Sequence, residues 1–321
     1  MVPVRYVLGK ALVLAFLAAT AASAADFPTR SIRWVLGFPA GGASDLLGRA
    51  IAERLSVSLK QNVIVDNRPG ASGIIANDIV ARATADGYTI LMVSSTFANL
   101  KSLGRKLPYN PDKDLEPVTL LAEVPDILCV HPSLPAKSVS ELVALAKSRP
   151  GQINYGTGGR GTGPHLATEL FRSMTGINIM HIPYKGTPAA VNDLLAGRVQ
   201  MMFALTPVSL PHVKAGRLRP LGVSGEKRLA ELPQVPTIAE SVPGYLATVW
   251  YGVMVPAGTP AAIKNRYSKE ITKILADPAI QRRLATVGFE TATSTPQEFT
   301  RFMHGEISKW KKVIDEANIK F

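Results

Sequence analysis

Short apolar runs alternate along this chain with stretches in which apolar positions recur every three or four residues. Ile32 to Gly37 reads as a buried strand, and Leu47, Ile51 and Leu55 then return at the spacing of one helix face. Val63 to Asp66 and Thr89 to Val93 are the next strands. Ser138, with Glu141 three residues later, is a capping box that opens a helix over Leu142 to Ser148. Ile153 to Tyr155, Ile177 to Ile182, Val199 to Phe203 and Arg219 to Val223 are further strands, with helical stretches between them. The chain closes on two long helical patterns, Ala261 to Ala276 and Pro296 to Asn318. Strands alternating with helices predict an α/β fold with largely parallel sheets. No repeat period or low-complexity linker interrupts the pattern.

The first residues carry a different pattern. Arg5 and Lys10 precede the apolar run Ala11 to Ala19, and Ala22-Ser23-Ala24 follows with small side chains. This reads as a secretory signal peptide over residues 1–24, with the mature chain starting at Ala25 or Asp26. The run is too short to span a bilayer, which needs about 20 residues.

With 321 residues, 46% of them hydrophobic, the chain exceeds what one small core usually supports, so two lobes are expected. The two crossings between them are placed near Val118 to Pro125 and near Pro243 to Thr248. The formal net charge is +12, leaving +10 once Arg5 and Lys10 are set aside with the leader. Export and the lack of a zinc-finger or basic-aromatic pattern argue against nucleic acid, so the charge is read as raising the local concentration of an anionic ligand. Cys129, the single cysteine, lies in the apolar segment Ile127 to Val130 and reads as a buried small hydrophobe.

Two glycine-rich loops carry the candidate chemistry. In open α/β sheets ligands bind beyond the carboxyl ends of strands, where helix N-termini offer free N–H groups to anions. Phe38-Pro39-Ala40-Gly41-Gly42-Ala43-Ser44-Asp45 directly follows the first strand. Gly156-Thr157-Gly158-Gly159-Arg160-Gly161-Thr162-Gly163-Pro164-His165 follows the strand at Ile153 to Tyr155, and Pro164 suits a first helical position. The second loop imitates a dinucleotide fingerprint through Gly156, Gly158 and Gly161, but the next strand holds no acid for the ribose. It also imitates a phosphate loop, with Thr162 where the lysine belongs. No nucleophile elbow or zinc-binding HExxH sequence is present, and the five histidines never pair at metal-ligand spacing, so neither a catalytic set, a metal nor a cofactor is expected.

Taken in order, the first loop, then Val65 to Ala71, Asp86-Gly87-Tyr88-Thr89, the second loop with His165, Pro183 to Gly186, Val235 to Glu240, Trp250 and Pro256 to Pro260 resemble the Bug-type receptors of tripartite tricarboxylate transporters. The likeness covers essentially the whole mature chain. It implies a two-lobed periplasmic-binding-protein (Venus-flytrap) fold, each lobe a mostly parallel sheet flanked by helices, with the ligand cleft between lobes. Residues 25–122 and 247–321 would form the first lobe and 123–246 the second. The resemblance nominates Phe38, Ala40, Gly41, Gly42, Ser44 and Asp45 as ligand-binding in the first lobe, joined by Ser95, Thr96 and Asn99. In the second lobe it nominates Thr157, Gly159, Gly161, Thr162, His165, Tyr184 and Lys185. Asn67 to Gly70 is read as a structural turn.

The implied role is a periplasmic, monomeric protein that captures a small carboxylate and passes it to transporter subunits in the membrane. Relatives in this family often carry an acid just after the strand equivalent to Val199 to Phe203; here Ala204-Leu205-Thr206-Pro207 has none, which points away from an amine-bearing ligand. Two other classes fit the sequence less well. A secreted enzyme acting on a small carboxylic acid or ester, with Ser44 or His165 at its centre, lacks a nucleophile-base-orienter set. A cytoplasmic transcriptional regulator is opposed by the leader and by the missing helix-turn-helix.

Overall fold

The computed structural model describes residues 27–316, so the leader and the start of the mature chain lie outside the described residues. The chain begins on a parallel trio. β1 (Ile32–Leu36) lies between β2 (Val63–Asn67) and β3 (Thr89–Ser94), each parallel to it. Helix α1 (Ala43–Leu59) joins β1 to β2, and its Leu47, Ile51, Leu55 and Leu59 are buried, one turn apart. Helices α2 (Ile74–Ala81) and α3 (Ser95–Ser102) complete this half. Side chains alternate across the sheet as strand geometry requires. Trp34 and Leu36 join a core with Ile51 and Tyr267, while Val35 joins another with Phe97, Trp250 and Phe299.

β4 (Leu115–Val130) is the architectural centre. Its 16 residues, at roughly 3.3 Å each, make it far longer than an ordinary strand. From Leu115 to Pro125 it pairs antiparallel with β9 (Thr248–Pro256), which also borders β3. From Asp126 onward it pairs antiparallel with β7 (Met201–Leu205) and with β8 (Arg219–Val223). Beyond β7 lie β5 (Asn154–Thr157) and the edge strand β6 (Met180–Pro183), both parallel. One ten-stranded sheet therefore runs through the molecule, and β4 is shared by its two halves. The outer strands are parallel and the crossing strands antiparallel.

The second half buries its own cores. Helix α4 (Val139–Ser148), α5 (Gly163–Thr175), α6 (Thr187–Leu195) and α7 (Thr206–Lys214) flank its strands. Ile127 and Cys129 face one core and Leu128 and Val130 the other, so the cysteine is an interior packing residue. After β9 come α8 (Ala261–Leu275), α9 (Pro278–Ala285), the short β10 (Glu290–Thr291) and α10 (Pro296–Glu316). Phe299 and Met303 of α10 sit in a core of the first half, while Trp310 and Ile314 sit in a core of the second.

Candidate functional site

Five helices begin at the junction of the two halves. Gly42, Ser94, Thr162, Gly186 and Leu205 are the residues before α1, α3, α5, α6 and α7, and none caps its helix with a side-chain hydrogen bond. Ser138 and Asp277, which do not line the cleft, each accept an N–H from the helix they precede. Serine and threonine are strong capping residues. Ser94 and Thr162 thus leave open a role they are suited to, at the helix ends that converge on one cavity.

That cavity is narrow, with a volume of about 30 Å³. Gly42, Ser44 and Thr96 reach it from the first half, and Thr162, Gly163 and Thr187 from the second. Its inner wall is Leu205, Val249 and the Tyr251 ring. No carboxylate is among the lining residues. The hydroxyls of Ser44 and Ser95 are buried and have no hydrogen-bond partner. Helix N-termini carry partial positive charge and free N–H donors. Uncapped ends, an idle hydroxyl and the absence of a lining carboxylate are chemically suited to an oxyanion.

A second, wider cavity of about 400 Å³ opens on the other side of Phe38 and Pro39, which line both. Gly159, Arg160, Tyr184 and Lys185 line it, again with no carboxylate. The two halves touch here. Ser72 donates its hydroxyl to the Arg160 carbonyl at 2.7 Å, and Asn99 donates to the Gly161 carbonyl at 3.3 Å.

The residues singled out from the sequence divide into three groups. Phe38, Gly42, Ser44, Thr96 and Thr162 line the inner cavity. Gly159, Tyr184 and Lys185 line the outer one. Of the remainder, Ser95 is buried with an idle hydroxyl and lines neither cavity, and most of the others support the loops. Asp45 accepts the Gly41 N–H and the Arg49 guanidinium, both at 3.0 Å. Burial alone would raise its carboxyl, but Arg49, Gly41 and Asn67 hold it below the usual range. Asn67 also donates to the Phe38 carbonyl at 3.0 Å, which fixes the first loop. Ala40 and Gly41 are exposed at the loop tip. Thr157 is buried, with its hydroxyl 2.7 Å from His181 Nε2, and its side chain turns away from both cavities.

His165 has a supporting part too. Its Nδ1 accepts the Gly161 N–H at 3.0 Å, so that amide points to the imidazole. The His165 ring stacks on His181 at 4.1 Å, and His181 stacks on Tyr155 at 4.8 Å. Burial depresses His165 to about 2 and His181 to about 4, so both are neutral at physiological pH. With Nδ1 committed to Gly161, His165 is not a general base for Ser44. Among the described residues, no group of three His, Cys, Asp or Glu side chains is placed to hold a metal ion.

Sequence reasoning missed several wall residues. Thr187-Pro188 opens a helix with proline second, as Gly163-Pro164 does, a signal that was available. Val249 and Tyr251 arrive from a strand remote in sequence and carry no local signal.

The profile of the tripartite tricarboxylate transporter family receptor matches residues 47–319. Solved structures give the same likeness. The R. palustris protein Rpa4515 with adipate is 39% identical, superposes with a TM-score of 0.89 and matches 91% of this chain and 99% of its own. The periplasmic binding protein BugD is 31% identical with a TM-score of 0.88, over 92% of this chain and 99% of its own. MatC from Rhodopseudomonas palustris with bound malate is 28% identical with a TM-score of 0.84, over 90% and 100%.

Proposed function

Because this chain belongs to the tripartite tricarboxylate transporter family of receptors, we propose that it closes two lobes around a small carboxylate and presents it to membrane subunits of such a transporter. The observation that carries the reading is the set of uncapped helix N-termini around a cavity that the idle hydroxyl of Ser44 also lines. Lobe one is residues 25–122 with 247–321, and lobe two is 123–246. The switch of β4 from β9 to β7 between Pro125 and Asp126 supports that division, since both chain crossings lie there. The family is one of periplasmic receptors, and cleavage after the leader delivers this chain there as a monomer.

The ligand class is a linear or aromatic acid without an amine. Relatives are known with adipate and with malate. The inner wall of Leu205, Val249 and Tyr251 suits a carbon chain or ring, and no lining carboxylate is present to pair an ammonium, whose burial alone is costly. Arg160 and Lys185 at the outer cavity suit a second anionic end. The sixteen candidate residues act as two shells, those lining the cavities against ligand and the remainder holding the loops. The protein performs no chemistry on what it binds.

A thermal-shift screen over succinate, glutarate, adipate, malate, citrate and terephthalate tests this. An acid at 100 times its Kd adds about 2.7 kcal/mol of stability. A melting temperature unmoved by every acid would remove the reading.

A further inference from the structure

Asp126 stands where the long strand changes partner. It is the first residue of β4 to pair with β7, opposite Leu205, and Pro125 before it pairs with Thr248 of β9. Ser224 ties this crossing to the other one. Its hydroxyl accepts the Asp126 N–H at 2.7 Å and donates to the Ala247 carbonyl at 2.6 Å, and its N–H donates to the Asp126 carbonyl at 2.9 Å. The main chain of Asp126 is therefore satisfied, but its side chain is not. Asp126 is completely buried and neither carboxyl oxygen has a hydrogen-bond partner.

An isolated buried carboxylate is so costly that such a group keeps its proton instead. The groups facing it offer no compensating charge. Tyr251 comes from β9, Tyr245 from the segment before it and Cys129 from β4 itself, and burial pushes all three above their usual ranges. Burial likewise raises Asp126 to about 8.

We propose that Asp126 is a proton-linked joint: its carboxyl is neutral while the lobes are shut and ionises when rotation at this crossing admits water, so that ligand capture takes up a proton. The proposal rests on the lobe closure described above. A hydrated aspartate ionises near 3.9. Between that value and the buried one, acid favours the closed form, and ligand affinity falls by up to roughly tenfold for each unit of rising pH.

Titration calorimetry with adipate near pH 7, where adipate itself is ionised, counts the protons when run in two buffers of different ionisation enthalpy. The wild type takes up close to one proton per adipate, and its Kd weakens as pH rises from about 6 to about 8. Asp126→Asn takes up none and its Kd is flat over that range; Asp126→Ser serves if the asparagine variant does not fold. A wild-type count of zero, or the same count in the variant, overturns the proposal. Scattering on the same samples separates the failures. If neither adipate nor any other acid of the thermal-shift screen binds, the pocket reading falls and the proposal with it. Binding without a smaller radius of gyration overturns lobe closure. Binding and closure without proton uptake overturns only the part given to Asp126.

Discussion

The Pro39 ring fills the space a side chain at Gly186 would need: its Cγ lies 2.6 Å from where a β-carbon would stand. Pro39 belongs to the loop after β1 and Gly186 precedes α6, so the two lobes meet through a glycine that also holds a φ of +111°. Gly186→Ala is expected to keep the lobes apart. Adipate or whichever acid shifts the melting temperature would bind at least tenfold more weakly, and scattering would show a larger radius at saturating ligand. Unchanged affinity and radius would mean that Pro39 moves aside without cost.

Ser44→Ala removes a buried hydroxyl that has no hydrogen-bond partner within the chain. Its loss should leave stability nearly unchanged, because no hydrogen bond is broken. Binding should suffer. A hydrogen bond to a charged group is worth about 1.5–3 kcal/mol, or roughly ten- to a hundredfold in Kd. Calorimetry of both proteins with the same acid decides it, and equal affinities would place Ser44 outside the ligand's reach.

Matched acids probe the missing partner for an ammonium. Succinate should bind more tightly than aspartate, and glutarate than glutamate, because none of the residues lining the inner cavity carries a carboxylate. Tight binding of the amino acids alone would show that some other group meets the amine.

The stacked histidines make the protein sensitive to acid. Both are depressed below the ordinary value near 6.5, His181 to about 4 and His165 to about 2. The unfolded chain therefore binds protons that the folded chain refuses. The stabilisation is fully present above about pH 6.5 and is lost as pH falls through the window below it. Urea midpoints measured from pH 7 down to about 4 should drop, and His181→Gln should flatten that slope. An equal slope in the variant would mean that His181 titrates normally in the folded state.

The strand-helix alternation was legible because each period of apolar residues maps onto one face of one element, as Leu47, Ile51 and Leu55 do. The two glycine loops were legible for a similar reason: they follow strands and open helices. β4 was not, since Pro117 and Pro125 break its apolar run and its pairing depends on β9, more than a hundred residues away in sequence. The direction of the Gly161 amide was equally hidden. It points to His165, four residues on, and a side chain at Gly161 would meet Leu100 and Leu103 across the cleft, neither of which the sequence discloses. Asp126 passed unremarked because an acid in an apolar strand gives no sign of whether its partner exists.

The final helix adds a mechanical condition to all of this. Phe299 and Met303 root α10 in one lobe, and Trp310 and Ile314 root it in the other, so β4, the connection into β9 and a stiff rod span the joint. Three struts leave little freedom for twist or shear, and they confine the lobes to one arc. Either the rod rides with the first lobe and draws the indole of Trp310 from its socket, or it bends near Glu306, whose carboxylate receives the indole N–H at 3.2 Å. In the first case the emission colour of this tryptophan is a built-in gauge of how far the jaws have travelled.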